Sequence, residues 1–189
     1  MKTRTLAAAL VLLAPTAFAD TLTLTPADPQ PDAASLTPGL AVSYSYTGNV
    51  KTLEGAVAAL QEAEPGPPLP GLSYLDTEAG EMTMTSTSET KVSAAITGFI
   101  RFDAPGTFSL DVWSNDGIAM TIGGQEIANF DETHPCESAG VQEVEVPSAG
   151  WYALEATYFQ RKGSACLLMD WDVEGEMGPV PDEAFAFTQ

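Results

Sequence analysis

The chain has 189 residues, of which 26 are acidic and seven are basic, and its formal net charge is -19 at pH 7. A protein this acidic repels nucleic acid and anionic membrane surfaces, so we expect neither of them as a partner. The length is sufficient for one domain with its own hydrophobic core.

The first 19 residues have the pattern of a secretory signal peptide. Lys2 and Arg4 precede an apolar run over residues 6–13, and Ala17-Phe18-Ala19 matches a small-x-small cleavage site. We therefore predict cleavage before Asp20. The position after the cleavage site is not a cysteine, so no lipid anchor is expected. The mature protein is predicted to be periplasmic or secreted.

Two regions follow the signal peptide. Residues 20–37 contain three prolines and few large apolar residues, which predicts an extended leader. Within it, residues 21–25 either pair as an edge strand or stay loose. A single β domain is predicted over residues 38–189. Its first strand covers residues 38–47, because apolar side chains alternate there with a period of two.

One short amphipathic helix is predicted over residues 51–63. Leu53, Val57 and Leu60 recur at helical spacing, and the segment Pro65-Gly66-Pro67-Pro68 ends the pattern. We expect this helix to cover part of a sheet.

The middle of the chain predicts a series of strands. Residues 81–95 are rich in Thr and Ser, and two short strands are expected around Thr87–Glu89 because Thr favours strands. Residues 96–131 then form a strand, a turn, a strand, a polar corner and a hairpin. Ala104-Pro105-Gly106-Thr107 favours a type II turn in which two strands meet. Gly123-Gly124 provides the backbone freedom of a two-residue hairpin.

Further strands are predicted in the last third of the chain. Residues 141–146 form one strand, and residues 151–160 form the most apolar strand, with large side chains on both faces. If both faces are covered, the protein contains two packed sheets. Residues 161–163 make a tight connection to a partner strand over residues 165–173. The tail, residues 179–189, is expected to lie along the side of the barrel through its two phenylalanines.

The polar corner Ser114-Asn115-Asp116-Gly117 is the candidate ligand site. In a regular strand the side chains of Asn115 and Asp116 point to opposite faces. A departure from strand geometry, such as a cis peptide between them, is needed for both to bind one ligand. Two adjacent oxygen ligands suit calcium. The alternative is an ordinary solvated turn, because these four residue types are common in turns.

The two cysteines predict a disulfide. Cys136 and Cys166 form a pair in a chain predicted to be exported, where disulfides are stable. The bond would connect the loop that contains His134, the one histidine, to the strand that begins near residue 165. A metal site at His134 and Cys136 is the alternative, but these residues are too few for structural zinc.

An enzyme is not expected. The sequence has no G-x-S-x-G elbow, no H-E-x-x-H pair and no phosphate-binding glycine loop. Glycoside hydrolysis by paired carboxylates stays open, because 26 acidic residues supply many pairs whose separation in space the sequence does not give.

The ordered series of motifs resembles the PA14 domain. The resemblance rests on GFIRFDAPGTFSLDVWSNDGIAMTIGGQEI at residues 98–127, VEVPSAGWYALEATYFQ at residues 144–160 and SACLLMDW at residues 164–171. It implies an all-β fold, an antiparallel β-sandwich or barrel, with the one short helix near residues 51–63. Members of this family occur in bacterial toxins, glycosidases and yeast adhesins.

The resemblance also implies a site. In the adhesin-like lectin members, two consecutive aspartates joined by a cis peptide bind calcium, and the calcium helps to hold the vicinal hydroxyls of a sugar. These positions are similar to Asn115 and Asp116, and the loop at residues 160–164 is similar to the source of the further ligands. Asn115 retains an oxygen ligand but carries one negative charge fewer than aspartate.

Two classes of function follow. The first is an exported module that binds a glycan or a cell-envelope polysaccharide, with Asn115 and Asp116 binding calcium or the sugar and Trp113 or His134 stacking on it. The second is a structural or protein-interaction module of the cell envelope with no ligand at the corner.

Overall fold

A computed structural model describes residues 21–75, 78, 80–173 and 175–189. The predicted signal peptide lies outside these residues. The strands are β1 (Leu22–Thr23), β2 (Leu36–Pro38), β3 (Ala41–Ser45), β4 (Glu64–Pro65), β5 (Ser73–Tyr74), β6 (Val92–Phe102), β7 (Gly106–Asn115), β8 (Ile118–Ile122), β9 (Gln125–Phe130), β10 (Glu137–Ser138), β11 (Gln142–Val146), β12 (Gly150–Gln160), β13 (Cys166–Val173), β14 (Glu176–Pro179) and β15 (Phe185–Thr188). The α-helix is α1 (Leu53–Ala59), and single 3-10 turns cover Ala33–Ser35, Leu60–Glu62 and Asp182–Ala184.

The strands form two sheets, which confirms the predicted all-β sandwich. The first sheet has the order β1-β11-β7-β13-β14, with β10 added to β7 and β5 added to β13. The second sheet has the order β2-β15-β6-β12-β8-β9, with β3 and β4 added beside β6. All pairings are antiparallel except that of β1 with β11.

The core lies between the two sheets and follows the alternation of apolar side chains. On β12, Tyr152, Leu154 and Tyr158 are fully buried toward the first sheet, whereas Ala153 and Glu155 are exposed. The prediction that both faces of this strand are covered is therefore wrong over most of its length. The conclusion drawn from it, two packed sheets, is correct because one apolar face per sheet is enough to form a sandwich.

Two of the predicted strand connections are wrong in the same way. The turn at residues 103–105 does not join paired strands, because β6 belongs to the second sheet and β7 to the first. The connection at residues 161–165 likewise passes from β12 in the second sheet to β13 in the first, where β13 pairs with β7. The alternation of apolar residues shows which side chains point inward but does not show which strands pair. Strands that are neighbours in the sequence therefore need not be neighbours in a sheet.

The glycine hairpin and the helix are confirmed. Gly123 and Gly124 connect β8 to β9 with φ of 54° and 77°, left-handed values that favour glycine. Helix α1 begins after Thr52, whose hydroxyl accepts a hydrogen bond from the Gly55 amide at 3.1 Å. The buried residue of this helix is Ala56, whereas Val57 is half exposed, so the helix face that meets the sheet is not the one predicted from the spacing of Leu53, Val57 and Leu60.

Of the two strands predicted around Thr87–Glu89, the first is absent, since residues 81–91 form a series of turns, whereas residues 92–95 on the other side are the beginning of β6. The hydroxyl groups of residues 81–91 explain the error. The side chains of Thr83, Ser86 and Ser88 donate hydrogen bonds to backbone carbonyls at residues 88–90, at distances of 2.7 to 2.9 Å. Such local bonds compete with strand pairing.

Both ends of the described chain are part of the sandwich. Residues Leu22–Thr23 pair with β11, and the adjacent Leu24 is buried. The tail forms β15, which pairs with β6 and β2 and buries Phe185 and Phe187. Among the described residues, no helix has the length and hydropathy that a membrane-spanning helix needs.

Candidate functional site

The polar corner is one of the places where the chain crosses between the two sheets. Strand β7 ends at Asn115 in the first sheet, and β8 begins at Ile118 in the second. The peptide bond between Asn115 and Asp116 is cis, which is the departure from strand geometry named in the sequence analysis. Gly117 is required for packing, because a Cβ atom there would lie 2.3 Å from Cε1 of Phe159 and 2.9 Å from the Phe130 carbonyl oxygen.

The carboxylate of Asp116 holds three segments of chain together. Its Oδ1 accepts a hydrogen bond from the His134 amide at 3.1 Å, and its Oδ2 accepts one from the Arg161 amide at 2.7 Å. The side chain is 6% exposed. Burial raises the pKa of Asp116, and the two amide hydrogen bonds and the nearby His134 and Arg161 side chains act in the opposite direction.

The side chain of Asn115, unlike that of Asp116, has no hydrogen-bond partner among the described residues. Its backbone pairs with Cys166 of β13, and its carbonyl oxygen accepts a hydrogen bond from the Tyr158 hydroxyl. Its side-chain amide is 7% exposed and forms no hydrogen bond with any residue that the structure describes. The nitrogen and oxygen of this amide are not among the fully buried polar atoms that lack a partner, so they remain accessible at the cavity, where a ligand can bond to them.

These two side chains line a cavity of about 320 Å³. The other lining residues come from two loops, one before β10 and one between β12 and β13. They are Thr133, His134, Pro135, Arg161, Lys162, Gly163 and Ser164. The volume is at the lower end of the range for small-molecule sites, about 300 to 1,000 Å³.

The first of these loops is fixed by the predicted disulfide. Cys136 and Cys166 are bonded, with their Cα atoms 5.8 Å apart. The His134 ring stacks on Phe130 with a centroid distance of 3.7 Å, and its Nδ1 lies 2.7 Å from the Pro135 carbonyl oxygen. Its Nε2 is buried, with no partner in the described part of the chain. The disulfide and the ring stack therefore set the position of one wall.

Gln160 shapes the second loop, and the sequence analysis did not identify this role. Its buried side chain accepts a hydrogen bond from the Lys91 amide at 3.1 Å and donates to the carbonyls of Gly163 at 3.2 Å and Ser164 at 3.4 Å. The available signal was a polar residue at the end of the most apolar strand. Its partners could not be identified from sequence because one of them is 69 residues away.

Of the residues predicted to bind a ligand, the structure brings Asn115, Asp116 and His134 together around the cavity. Trp113 is separate from them. It pairs with Ser138 and Leu168 within the first sheet and is not part of the cavity wall, and its indole Nε1 is buried without a partner among the described residues.

Comparison with solved structures identifies the fold. The PA14 domain of the MpAFP antifreeze protein superposes with a TM-score of 0.68 at 16% identity, covering 84% of this chain and 94% of that domain. The PA14 sugar-binding domain of an RTX adhesin gives a TM-score of 0.61 at 16% identity, covering 80% of this chain and 99% of that one. The chain has the fold of a PA14 domain. This confirms the resemblance seen in the sequence.

A third structure with the same fold is the A domain of epithelial adhesin 9 from Candida glabrata in complex with Galβ1-3GlcNAc. It superposes with a TM-score of 0.68 at 9% identity, covering 89% of this chain and 97% of that domain. No protein-family model matches the sequence, and no curated protein is significantly similar to it. At these identities the PA14 fold is established, and the ligand must be argued from the cavity itself.

The cavity meets only part of what calcium requires. Calcium binds six to eight oxygen atoms, and Asn115 Oδ1 is an available buried ligand. Both Asp116 oxygens already accept amide hydrogen bonds, so they offer only their second lone pairs. Within the described residues, no group of three or more His, Cys, Asp and Glu side chains is arranged to hold a metal ion. A calcium site here would therefore depend on backbone carbonyls and on the ligand.

Proposed function

We propose that this protein is an exported, non-enzymatic module that binds carbohydrate in the cavity at the Asn115-Asp116 corner. The observation that carries the proposal is the side-chain amide of Asn115, which lines a cavity between two fixed loops and has no hydrogen-bond partner among the described residues. Amide groups suit sugars because they both donate to and accept from hydroxyl groups.

Two further observations support the proposal. Solved structures that share the PA14 fold include one described as sugar-binding and one in complex with a disaccharide. The Cys136–Cys166 disulfide is typical of proteins that leave the reducing cytoplasm, which agrees with the signal peptide predicted at residues 1–19.

Binding to a glycan array, followed by calorimetry with the best ligand, tests the site. We expect Asn115→Ala to weaken binding about 5- to 30-fold, because one or two hydrogen bonds to the sugar are lost. The melting temperature should change little, since the amide contacts no described partner. Asn129→Ala is the matched control, because Asn129 is exposed on β9 and bonds only to Glu126.

If no glycan binds, or if Asn115→Ala binds as tightly as the wild type, the cavity is not a sugar site. The protein would then be a structural or protein-interaction module of the cell envelope with an empty corner.

We also propose calcium as a ligand of this corner, bound through Asn115 Oδ1 and the outer lone pairs of Asp116. When bound, the ion would supply a positive charge for sugar hydroxyl oxygens. A site with one neutral amide and one shared carboxylate should be weak, with a Kd of about 10⁻⁴ to 10⁻³ M. At 10 mM calcium the stabilisation is then about 1.4 to 2.7 kcal/mol, measurable as a rise in melting temperature relative to chelator.

Asn115→Asp sharpens this test because it adds the second carboxylate. The calcium-dependent rise should increase in this variant, and magnesium should not reproduce it because magnesium demands a smaller octahedral site. If calcium stabilises neither protein, the calcium proposal is wrong, and sugar binding in chelator is tested on its own.

A further inference from the structure

Two of the basic residues of this acidic protein line the cavity. Five of the seven lie in the described part of the chain: Lys51, Lys91, Arg101, Arg161 and Lys162. Arg161 and Lys162 line the cavity. Lys91 is joined to the same loop through Gln160, and the loop of Lys51 is joined to it by a hydrogen bond from Arg161 Nε to Asn49 Oδ1 at 2.9 Å.

Neither of the two lining cations forms an ion pair with a described residue, although Arg161 lies close enough to the Asp116 carboxylate to act on its pKa. The one ion pair among the described residues joins Arg101 to Asp103 at 2.9 Å, and Arg101 also lies over the Trp151 ring. The guanidinium of Arg161 bonds to the neutral amide of Asn49, and Lys162 is exposed and has no side-chain partner in the described chain. Neither side chain is therefore held in an ion pair with a described residue, although the protein contains 26 acidic residues.

The cavity wall contains fewer acidic residues than basic ones. Asp116 is the one acidic residue in the cavity wall, and both of its oxygens already receive amide hydrogen bonds. One buried carboxylate thus stands against two cationic side chains, and Asn115 adds no charge.

We propose that the cavity selects an acidic saccharide, one that carries a carboxylate or a sulfate ester on the bound ring. This inference rests on the proposed carbohydrate function and names the class of sugar. Lys162 and Arg161 bind the anionic group, and the Asn115 amide binds ring hydroxyls beside it. The volume of about 320 Å³ accommodates the terminal sugar of a chain and leaves the rest in solvent.

The preference does not depend on calcium. An ion bound at Asn115 and Asp116 would add positive charge to the same cavity and would favour the same anionic ligand. The two proposals predict opposite effects for one substitution. Lys162→Glu should weaken binding of the anionic saccharide, because it replaces an attracting cation with a carboxylate. The same substitution should strengthen calcium binding, because it replaces a repelling cation with a potential oxygen ligand.

A pair of ligands that differ only in charge tests the inference. Binding of an oligogalacturonide is compared with binding of its fully methyl-esterified form by calorimetry, with calcium and with chelator. A second pair, sulfated and desulfated chondroitin oligosaccharides, distinguishes sulfate from carboxylate. We expect the charged member of at least one pair to bind about 3- to 10-fold more tightly, as for a solvent-exposed charged hydrogen bond.

Variants assign the preference to the cavity. Lys162→Gln should remove most of the difference in affinity between the charged and the neutral ligand of each pair. Arg101→Gln is the matched control, since it removes the same charge outside the cavity. Melting curves confirm that Lys162→Gln is folded, which is expected because the side chain is exposed.

The outcomes separate the two levels of the proposal. If neutral glycans bind as well as charged ones, and Asn115→Ala abolishes this binding, the carbohydrate function stands and the acidic preference is wrong. If charged ligands bind better but Lys162→Gln and Arg101→Gln behave alike, the preference does not arise in the cavity and the inference is overturned. If no saccharide binds, both proposals fail.

Discussion

Each end of strand β7 borders a cavity, and the two cavities differ in whether the polar groups of their walls have partners within the protein. The larger cavity, about 510 Å³, is at the Gly106 end and is lined by Phe102, Phe108 and Trp171. The smaller one is at the Asn115 end. Ten residues of strand separate the two cavities, roughly 30 Å at the usual rise per residue.

The aromatic end is internally satisfied. The Phe102 ring lies 5.0 Å from Phe108 and 5.7 Å from Trp171, so these rings contact each other as core residues do. The acidic residues in this wall are also occupied, since Asp172 accepts the Gly175 amide at 2.7 Å and Asp103 pairs with Arg101. At the corner, the Asn115 side-chain amide has no described hydrogen-bond partner, and Arg161 and Lys162 form no ion pair with a described residue. The smaller cavity therefore offers more polar groups to a ligand than the larger one does.

The largest expected effect comes from the aromatic end. Phe102→Ala should lower the free energy of unfolding by about 3 to 5 kcal/mol, because it removes a fully buried ring and leaves a cavity. Chemical denaturation measures the loss, and sugar binding at low temperature should be unchanged. A loss of binding by the folded variant would contradict the separation of the two ends.

The second effect concerns the corner. Replacing both Cys136 and Cys166 with alanine should lower the free energy of unfolding by about 3.5 kcal/mol, since the bond closes a loop with a sequence separation of 30. The loop with His134 should also loosen, and the affinity for sugar should fall. Wild-type protein with added reductant is the control, and equal affinity in the folded double variant would show that the disulfide does not position the cavity wall.

The smallest effect lies between the two ends. Asp111 and Asp170 are cross-strand partners on β7 and β13, and burial, then the charge of Asp111, raises the pKa of Asp170. The folded state therefore holds this proton more tightly than the unfolded chain does, and stability rises as pH falls from the raised pKa toward the ordinary value near 4. Asp170→Asn should stabilise the protein at pH 7 by less than about 1 kcal/mol.

Thermal melts between pH 4 and pH 7 check this expectation. The difference between Asp170→Asn and the wild type should shrink toward pH 4, and ligand binding at pH 7 should be unaffected. Glu155→Gln on the exposed face of β12 is the control. A stability difference between Asp170→Asn and the wild type that is larger at pH 4 than at pH 7 would contradict the expected sign.

Much of the corner could be predicted from sequence because its signals are local. Adjacent Asn and Asp before a glycine indicated a departure from strand geometry, and the structure has the cis peptide there. Two cysteines in a chain with a secretory signal pattern indicated the disulfide. The role of Trp113 depended on how β7 packs, and the structure places this residue outside the cavity wall.

The partners of the corner could not be predicted. Asp116 bonds to amides 18 and 45 residues away, and nothing in the sequence around it specifies which loops approach. The turns at residues 81–91 were also missed, because Thr is compatible with a strand and only the local hydroxyl bonds decide against it.

The sequence by itself determined the all-β class, the inward face of most strands, the glycine hairpin and the disulfide, because each depends on alternation or on residue chemistry within a short stretch. The tertiary structure alone decided which strands are neighbours. It also decided that the chain crosses between sheets at the corner and that Arg161 and Lys162 line the cavity with Asn115. The physical reason is that pairing and loop approach are set by packing among residues far apart in the chain, where local preference gives no information.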